Sequence, residues 1–562
     1  GGITGAGVAR DAARRGLRVV LVEMQDLASG TSSRSSKLVH GGLRYLQQYE
    51  FGLVFESVSE RRVLSRIAPH LVHPLGFLFP VYERDELQLW KVNAGMWLYD
   101  VLALFRSHKL HRTLRRGRLA EVEPTLSQDE LVGAPLYWDA STDDARLTLE
   151  TALDAVAHGA SVVPWCRAAA YRRDADGRLD SVEVVDELTG ERRRIRAARV
   201  ANCTGPWTDA TLSLEGTGLS PDAPRLLRRT KGVHAVVRRT ALPVEHAIVM
   251  VHPRDRRVLF AIPWGDRTYL GTTDTDYEGD PNDVAAELPD IDYLLEATAA
   301  YFPGHPLGYD DVVATWAGVR PLVAPPAPGA DAPGAGVDES QVSREHTIRE
   351  GDDGVITVAG GKLTTYRKMA QEIVDLVVRG LLAEGKVDRG ALARPPTDRV
   401  PLPGADGWPE AEPGEDDDPL ARIARRAVEA GQGQVSPELA RHLADTYGTR
   451  APDLADRCAR EPELARPLCP GRPEVLAQVD HAVDAELATR LVDVLIRRTQ
   501  LFFRDPDQGL GAVDQIARRM AGRLGWDDTR REDEVARYQQ EVARARRWRR
   551  ALAELAAGSA AS

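Results

Sequence analysis

Apolar residues near the start of the chain follow first a helical pattern and then a strand pattern. Residues 6–15 are rich in Ala and Arg, which are strong helix formers, and Gly16 ends this run. Residues 17–22 read Leu-Arg-Val-Val-Leu-Val, a β-branched run typical of a buried strand, and Glu23 follows it. The pattern therefore predicts a helix followed directly by a strand.

Later segments carry similar signals. Residues 182–186 (VEVVD) precede Thr189-Gly190 and a basic run, which predicts a β-hairpin. Residues 200–205 read as a strand that runs into a glycine turn, and residues 488–503 have apolar positions at helical spacing. The Gly-Gly turn at 360–361 precedes hydroxyl residues and predicts the start of another helix. No apolar run reaches the roughly 18 residues that a membrane-spanning helix needs.

Length and composition indicate a globular protein of more than one domain. The 562 residues correspond to roughly two or three domains. The formal net charge of −11 gives no support for nucleic acid as a partner. The four Cys residues form no C-x-x-C pair, so no metal site is predicted. Such sparse Cys is typical of a reducing compartment.

The first residues carry part of a dinucleotide-binding motif. Gly2 and Gly5 match the second and third glycines of G-x-G-x-x-G, where a helix N-terminus binds a pyrophosphate. We expect Gly2 to let the backbone approach the pyrophosphate and Gly5 to let helix and strand pack closely. Glu23 lies where an acidic residue accepts the ribose hydroxyls. The motif's first glycine and its strand would lie upstream of Gly1, and we expect them to be missing here.

Residues 29–37 (SGTSSRSSK) form a segment dense in hydroxyl groups. A flavin dinucleotide lies extended and needs hydrogen-bond donors along its length, which such a segment supplies. The alternative is a Ser-rich surface loop. Composition alone leaves both interpretations open.

A series of blocks gives the chain a more specific resemblance. The first block reads SGTSSRSSKLVHGGLRYL from Ser29 to Leu46. The others are Thr204–Trp207, Lys231–His234, Ile262–Trp264, Gly271–Asp274, Gly318–Leu322 and Gly360–Arg367. In this order they resemble the FAD-dependent glycerol-3-phosphate dehydrogenases, within the D-amino-acid-oxidase-like flavoproteins. The resemblance runs from Gly1 to about residue 380.

The family resemblance implies an α/β fold of three parts. A Rossmann-like FAD-binding domain is expected from discontinuous segments, at residues 1–75, 145–215 and 345–385. An antiparallel-sheet substrate domain is expected at residues 75–145 and 215–345. A linker at 386–418 and a helical C-terminal domain at 419–562 complete this expectation.

The resemblance also implies a reaction and a cofactor. The enzyme would oxidise sn-glycerol 3-phosphate to dihydroxyacetone phosphate in glycerol catabolism, with hydride transfer to FAD. The expected FAD-binding residues are Gly1, Gly2, Ile3, Thr4, Gly5, Glu23, Ser29, Gly30, Thr31, Ser32, Ser33, Gly41, Gly42, Thr204, Gly205, Gly361, Lys362, Leu363 and Thr364. An alternative role for Thr364 or Thr365 is to cap the following helix.

Matched blocks also supply candidate substrate-binding and catalytic residues. A phosphate dianion requires Arg or Lys donors. The expected substrate-binding residues are Arg44, Tyr45, Lys231, Thr273, Arg320 and Lys362. The general base is expected to be His234 or His40, and His234 is favoured because it lies three residues after Lys231. Arg320 is also expected to stabilise the developing alkoxide.

The electron acceptor follows from the branch of the family. The dehydrogenases use a membrane quinone, whereas glycerol-3-phosphate oxidases use oxygen, and an amino-acid oxidase of the same fold is a further alternative. The quinone implies a cytoplasmic, peripheral protein on the inner face of the cell membrane. Two stretches combine apolar and basic residues: 96–118 and 544–550. Their alternatives are a buried helix and a solvated helix end. A homodimer is left open, and the Pro-, Ala- and Gly-rich stretch 324–336 is expected to be a flexible loop or a lid.

Overall fold

The computed structural model describes residues 1–42, 49–215, 225–324, 346–351, 354–409 and 418–561. Arg44, Tyr45 and nearly all of the stretch 324–336 lie outside these ranges. The strands are β1 (Val20–Val22), β2 (Leu38–Val39), β3 (Val72–Leu78), β4 (Val81–Tyr82), β5 (Arg112–Arg115), β6 (Leu131–Thr142), β7 (Ser161–Val163), β8 (Cys166–Arg173), β9 (Leu179–Asp186), β10 (Arg192–Arg196), β11 (Val200–Asn202), β12 (Leu227–Arg238), β13 (Ala247–Val251), β14 (Val258–Trp264), β15 (Arg267–Gly271), β16 (Thr275–Asp276), β17 (Val312–Val323), β18 (Thr347–Glu350) and β19 (Val355–Ala359).

Helices flank these strands and make up the C-terminal region. The α-helices of the first two thirds are Ile3–Arg14, Phe51–Ile67, Leu89–Leu102, Arg116–Val122, Asp144–Ala157, Thr208–Leu212, Leu288–Tyr301 and Tyr366–Ala383. Those of the C-terminal region are Pro419–Ala430, Pro437–Tyr447, Ala451–Arg460, Leu476–Ala485, Leu501–Arg504, Val513–Leu524, Asp528–Ala545 and Arg547–Ala561. In the described part of the chain, none of the helices is both long and apolar enough to cross a membrane.

The predicted helix and strand at the start of the chain are confirmed. The helix spans Ile3–Arg14, and Gly16 follows it with φ +79°, a conformation that favours glycine. The strand is shorter than predicted, because β1 pairs only with the three residues Ser161–Val163 of β7. The predicted hairpin also forms, since β9 and β10 pair antiparallel.

Two parallel strand pairs lie beside the first helix. One pair is β1 with β7, and the other is β11 with β19. A Cβ added at Gly5 would be 3.6 Å from Leu21 of β1 and 3.5 Å from Cys203, the residue directly after β11. Those distances are ordinary contacts. The close packing that was expected at Gly5 occurs instead at Gly7, where a Cβ would come within 2.9 Å of the Tyr366 ring.

A large mixed sheet, mostly antiparallel, contains the strands that carry His234 and Arg320. Its strand order is β16-β12-β15-β14-β13-β3-β6-β2, with β17 paired to β12. Because side chains alternate along a strand, β12 presents two different faces. Val233 and Val237 pack in one core cluster with the helix Leu288–Tyr301, whereas Val236 packs with Tyr269 and Trp316 on the other side.

Residues 488–503, whose apolar positions have helical spacing, do not form one continuous α-helix. The chain forms a π-helical segment at Asp493–Arg498, and Gln500 then adopts φ +59° before the short helix Leu501–Arg504. The buried Asp26 carboxylate accepts hydrogen bonds from both Arg497 and Arg498, including an Arg498 Nη1–Oδ2 bond of 2.5 Å. The wider π turn accompanies the turning of both neighbouring guanidinium groups toward this single carboxylate.

Candidate active site

The N-terminus of the first helix meets the predicted acidic residue and the hydroxyl-rich segment. A Cβ at Gly1 would come within 2.7 Å of the Glu23 side chain, and Gly2 is the N-cap residue in an extended conformation. The Ile3 amide donates to Ser32 Oγ at 2.9 Å. Thr4 lies in the first helical turn. Glycine backbone, Glu23 and a serine hydroxyl therefore converge where an anion is favoured.

The hydroxyl-rich segment is packed against the protein and is not a surface loop. Ser29 and Ser33 are buried. Thr31 Oγ1 donates to the Val319 carbonyl of β17 at 2.6 Å. A Cβ at Gly30 would meet the Trp207 ring at 2.9 Å, so glycine is required for that contact. Composition alone also allowed a Ser-rich surface loop, and these contacts exclude that alternative.

Three turns follow the carboxyl ends of parallel strands, where open α/β sheets bind ligands. Glu23 follows β1, Thr204 and Gly205 follow β11, and Gly360 and Gly361 follow β19. Gly205, Gly360 and Gly361 adopt φ values of +55°, +75° and +107°. A Cβ at Gly205 would meet no atom within 4 Å, so this turn is open.

Buried donors and an uncapped helix fit a polar, elongated ligand. Within the described residues, Trp207 Nε1 and Asn202 Nδ2 are buried without a hydrogen-bond acceptor. The helix Tyr366–Ala383 has Thr365 at its N-cap position, but the Thr365 side chain makes no capping hydrogen bond. Thr364 Oγ1 instead donates to the His40 carbonyl at 3.3 Å. The donors, glycine turns and helix ends together fit a dinucleotide.

The turn around His40 closes this side of the site. The Gly41 amide lies 3.1 Å from Tyr99 Oη and 3.2 Å from an Asp139 carboxylate oxygen, and Gly42 has φ +76°. Lys362 and Leu363 lie half-buried in the turn after β19. The structure thus brings His40 and Gly41 beside the predicted residue Thr364.

His234 is buried, with 2 % of its surface exposed, in an aromatic environment. Its ring stacks on Trp316 with a centroid separation of 4.7 Å and an interplanar angle of 15°. Nε2 is 2.9 Å from Ser36 Oγ, whereas Nδ1 is buried without a partner among the described residues. Burial, followed by the charges of Arg320 and Lys37, lowers the pKa of His234 well below its usual value. The imidazole is therefore neutral near pH 7.

Arg320 lies on the same face of the sheet as His234. Arg320 pairs with Thr230, and His234 pairs with Trp316, in the β12–β17 register; directly opposed residues share a face. The guanidinium donates to Asp274 Oδ1 at 2.8 Å and to Thr272 Oγ1 at 3.0 Å. It lies over Gly232, where a Cβ would collide with it. A fixed cation and a neutral imidazole thus face one space.

Lys231 is not brought to this face, which corrects its predicted role. Its ammonium group lies 2.8 Å from Asp290 and 2.9 Å from Glu287, at the start of the helix Leu288–Tyr301. A separation of three residues on a strand places Lys231 and His234 on opposite faces. Proximity to Lys231 was therefore the wrong reason to favour His234.

Thr273 also differs from its predicted role. Its hydroxyl oxygen accepts the Val233 amide hydrogen at 3.0 Å and joins its segment to β12. The neighbouring Thr272 hydroxyl is the group that contacts Arg320. Sequence reasoning missed Thr272, Ser36 and Trp316. The alternation Trp316, Gly318, Arg320 along one strand was the available signal for Trp316.

Comparison with known proteins identifies relatives of both the N-terminal and the C-terminal parts of this chain. Residues 1–367 match the family model described as FAD dependent oxidoreductase, and residues 395–531 match that of the C-terminal domain of alpha-glycerophosphate oxidase. An aerobic glycerol-3-phosphate dehydrogenase from Staphylococcus saprophyticus is 35 % identical over 95 % of this chain and 91 % of its own length. Glycerol-3-phosphate dehydrogenase 2 from Mycobacterium bovis is 38 % identical over 96 % of this chain and 87 % of its own. The solved glycerol-3-phosphate dehydrogenase from Bacillus halodurans, complexed with FAD, has a TM-score of 0.75 and 30 % identity, covering 97 % of this chain and 93 % of that one.

Proposed function

The chain belongs to the FAD-dependent oxidoreductase family, and we propose that it oxidises sn-glycerol 3-phosphate to dihydroxyacetone phosphate and passes the electrons to a membrane quinone. The observation that carries this proposal is the shared sheet face of His234 and Arg320 beside the dinucleotide-binding turns. The full-length similarity to dehydrogenases named for this substrate supports it.

FAD is the cofactor. We assign its binding to the predicted residues of the first helix turn, Glu23, residues 29–33, Gly41, Gly42, Thr204, Gly205 and the turn 361–364. When bound, FAD supplies the hydride-accepting chemistry that side chains lack. The protein contributes orientation and a site for the substrate hydroxyl proton.

The substrate phosphate requires cations, and we propose Arg320, Lys362 and Arg44 for this role, with Tyr45 as a neutral donor. The last two lie outside the described residues and stay predictions. Lys231 is left out because two carboxylates hold its ammonium group. Arg320, fixed by Asp274, is also suited to stabilise negative charge that develops on the C2 oxygen.

We propose His234 as the general base that takes the proton from the C2 hydroxyl. Its imidazole is neutral and buried, and Nδ1 has no partner among the described residues. For Nδ1 to accept a proton, Nε2–H must donate to Ser36 Oγ. His40 remains the alternative, beside Thr364 in the adjoining turn.

An exposed apolar surface supports peripheral membrane attachment, and we infer the inner face from the resemblance alone. Trp90 and Trp97 of the helix Leu89–Leu102 are 65 % and 56 % exposed, and Leu104 and Phe105 after it are also exposed. Basic residues accompany this surface: Lys91, Arg106, Lys109, Arg112, Arg115, Arg116 and Arg118. Aromatic and basic side chains together favour the interface of an anionic membrane. The alternative of a buried helix does not fit these exposures.

The C-terminal stretch 544–550, the second candidate surface, is tied into the protein. Trp548 is buried, and Arg549 donates to the Val312 carbonyl of β17. Arg544 donates to the Asn282 carbonyl. This stretch is therefore not part of the proposed membrane surface, and a homodimer stays a prediction from the resemblance.

Oxygen is the second candidate acceptor, because the C-terminal model that matches residues 395–531 is described from alpha-glycerophosphate oxidase. Turnover of sn-glycerol 3-phosphate by the FAD-loaded protein in membranes should be measured with a quinone analogue under nitrogen and with oxygen alone. Rapid anaerobic turnover with little peroxide in air supports the dehydrogenase. Stoichiometric peroxide and no reaction with quinone would identify an oxidase.

A further inference from the structure

The C-terminal region contacts the aromatic residue that packs against His234. Trp316, which stacks on His234, also contacts Phe503 of the short helix Leu501–Arg504. The Trp316 and Phe503 centroids are 5.5 Å apart at 70°, an edge-to-face arrangement. All three side chains are buried. A continuous ring contact therefore joins the C-terminal region to the proposed base.

This short helix is fixed to the large sheet beside Trp316. The Arg504 carbonyl accepts a hydrogen bond from Arg267 Nε of β15 at 3.0 Å. The Arg504 guanidinium lies 4.4 Å from the centre of the Trp264 ring, and that ring contacts Trp316. Phe503 thus sits on a segment that hydrogen bonds and ring contacts anchor on both sides.

The orientation of the His234 ring needs such support. A single bond from Nε2 to Ser36 leaves the ring able to tilt, and stacking on Trp316 restricts that tilt. Groups that act in proton transfer lose rate steeply when misplaced by about 1 Å. The charged groups that act on His234 are Lys37 and Arg320, paired with Asp144 and Asp274. Water that entered behind Trp316 would weaken both the orientation of the His234 ring and the action of these charges on it.

We propose that Phe503 is a positioning residue for the reaction, which by holding Trp316 keeps the His234 ring oriented and shielded from water. The C-terminal domain is then part of the catalytic machinery. This inference rests on the proposed function, because it takes His234 as the base.

Phe302 provides a matched control. It is buried like Phe503, but it belongs to the core cluster on the opposite face of β12, together with Val233 and Val237. Phe302→Leu and Phe503→Leu remove the same atoms from two buried positions. A general loss of packing would affect both variants alike.

The test compares both variants with the wild-type chain, all loaded with FAD. The first readout is carbethoxylation of His234 by diethylpyrocarbonate, followed by mass spectrometry, which needs no substrate. The second is the rate of anaerobic flavin reduction by saturating sn-glycerol 3-phosphate as a function of pH. In Phe503→Leu we expect His234 to react about tenfold faster and flavin reduction to be about tenfold slower, each a free-energy change of about 1.4 kcal/mol. Hydration should also raise the pKa of His234, so the acid limb of the rate profile should move to higher pH.

Two results would overturn the inference: unchanged protection of His234 in Phe503→Leu, or equal effects in Phe302→Leu. If Phe503→Leu does not fold, Phe503→Met also removes the ring but supplies a flexible apolar side chain that fills irregular space. It should show the same changes, and no change would again refute the inference. A wild-type flavin that the substrate does not reduce would contradict the proposed function separately, and His234 protection would still test the contact.

Discussion

Ser36 Oγ lies 2.9 Å from His234 Nε2 and fixes which ring nitrogen is left for the substrate. Ser36→Ala should slow anaerobic flavin reduction about tenfold to a hundredfold, because a general base contributes about a hundredfold or more and would lose its orientation. FAD content should not change. Ser213→Ala, whose hydroxyl donates to the Asp209 carbonyl at an exposed helix end, serves as control. A wild-type rate in Ser36→Ala would refute this orienting role.

Neutral His234 should make the protein sensitive to mild acid. Burial lowers the pKa of His234 well below 6.5, so below about pH 6.5 the unfolded state binds a proton that the folded state does not. The free energy of unfolding therefore keeps its full value above that pH. Below it, the free energy of unfolding falls by about 1.4 kcal/mol per pH unit. His234→Asn should flatten the decrease of melting temperature between about pH 7 and pH 5. Parallel curves for both proteins would contradict the buried neutral state.

Arg320 should act on the transition state more than on protein stability. Arg320→Lys keeps a charge but loses the fork that donates to Asp274 and Thr272. We expect flavin reduction to slow about a hundredfold, the usual effect of removing one donor to a developing oxyanion. Arg229 lies on the neighbouring strand β12 and donates to the Glu278 carbonyl, so Arg229→Lys should react normally. Equal rates in both variants would exclude Arg320 from the site.

Lys231 should be important for stability and not for substrate binding. Lys231→Met leaves the buried Asp290 carboxylate without its cation, and breaking such a pair costs about 3 kcal/mol. The melting temperature should fall while the substrate concentration for half-maximal flavin reduction stays within about twofold, a change of less than about 0.5 kcal/mol. A large rise in that substrate concentration with an unchanged melting temperature would show that Lys231 binds the substrate.

The exposed aromatic helix should carry membrane binding. Trp90→Ser combined with Trp97→Ser removes two large exposed rings from the helix Leu89–Leu102. Co-sedimentation with anionic vesicles should fall about tenfold or more, while turnover with a soluble electron acceptor is retained. Leu188→Ser removes an exposed apolar side chain elsewhere and should sediment normally. Undiminished sedimentation of the double variant would place the membrane surface elsewhere.

Local signals identified the parts of the site that lie on one stretch of chain. The helix, strand and Glu23 at the start follow from composition and spacing, and the contact between Ile3 and Ser32 joins two predicted groups. Side-chain direction was harder, since Lys231 and His234 belong to one block but face opposite sides of β12. Assigning their faces required the strand register.

Contacts between distant segments could not be predicted from spacing. The π-helical segment within residues 488–503 accompanies Asp26, hundreds of positions earlier, which binds Arg497 and Arg498. In the same way, nothing near Phe503 in the sequence shows that it packs on Trp316. Periodicity describes one element at a time, and these features arise where two elements meet.

Anaerobic addition of sn-glycerol 3-phosphate to the FAD-loaded protein tests the central claim most directly. Flavin absorbance should bleach with the appearance of one dihydroxyacetone phosphate per flavin, while glycerol and a D-amino acid leave the spectrum unchanged. A protein that retains its yellow colour with sn-glycerol 3-phosphate, or that bleaches with the D-amino acid instead, would contradict the proposed activity.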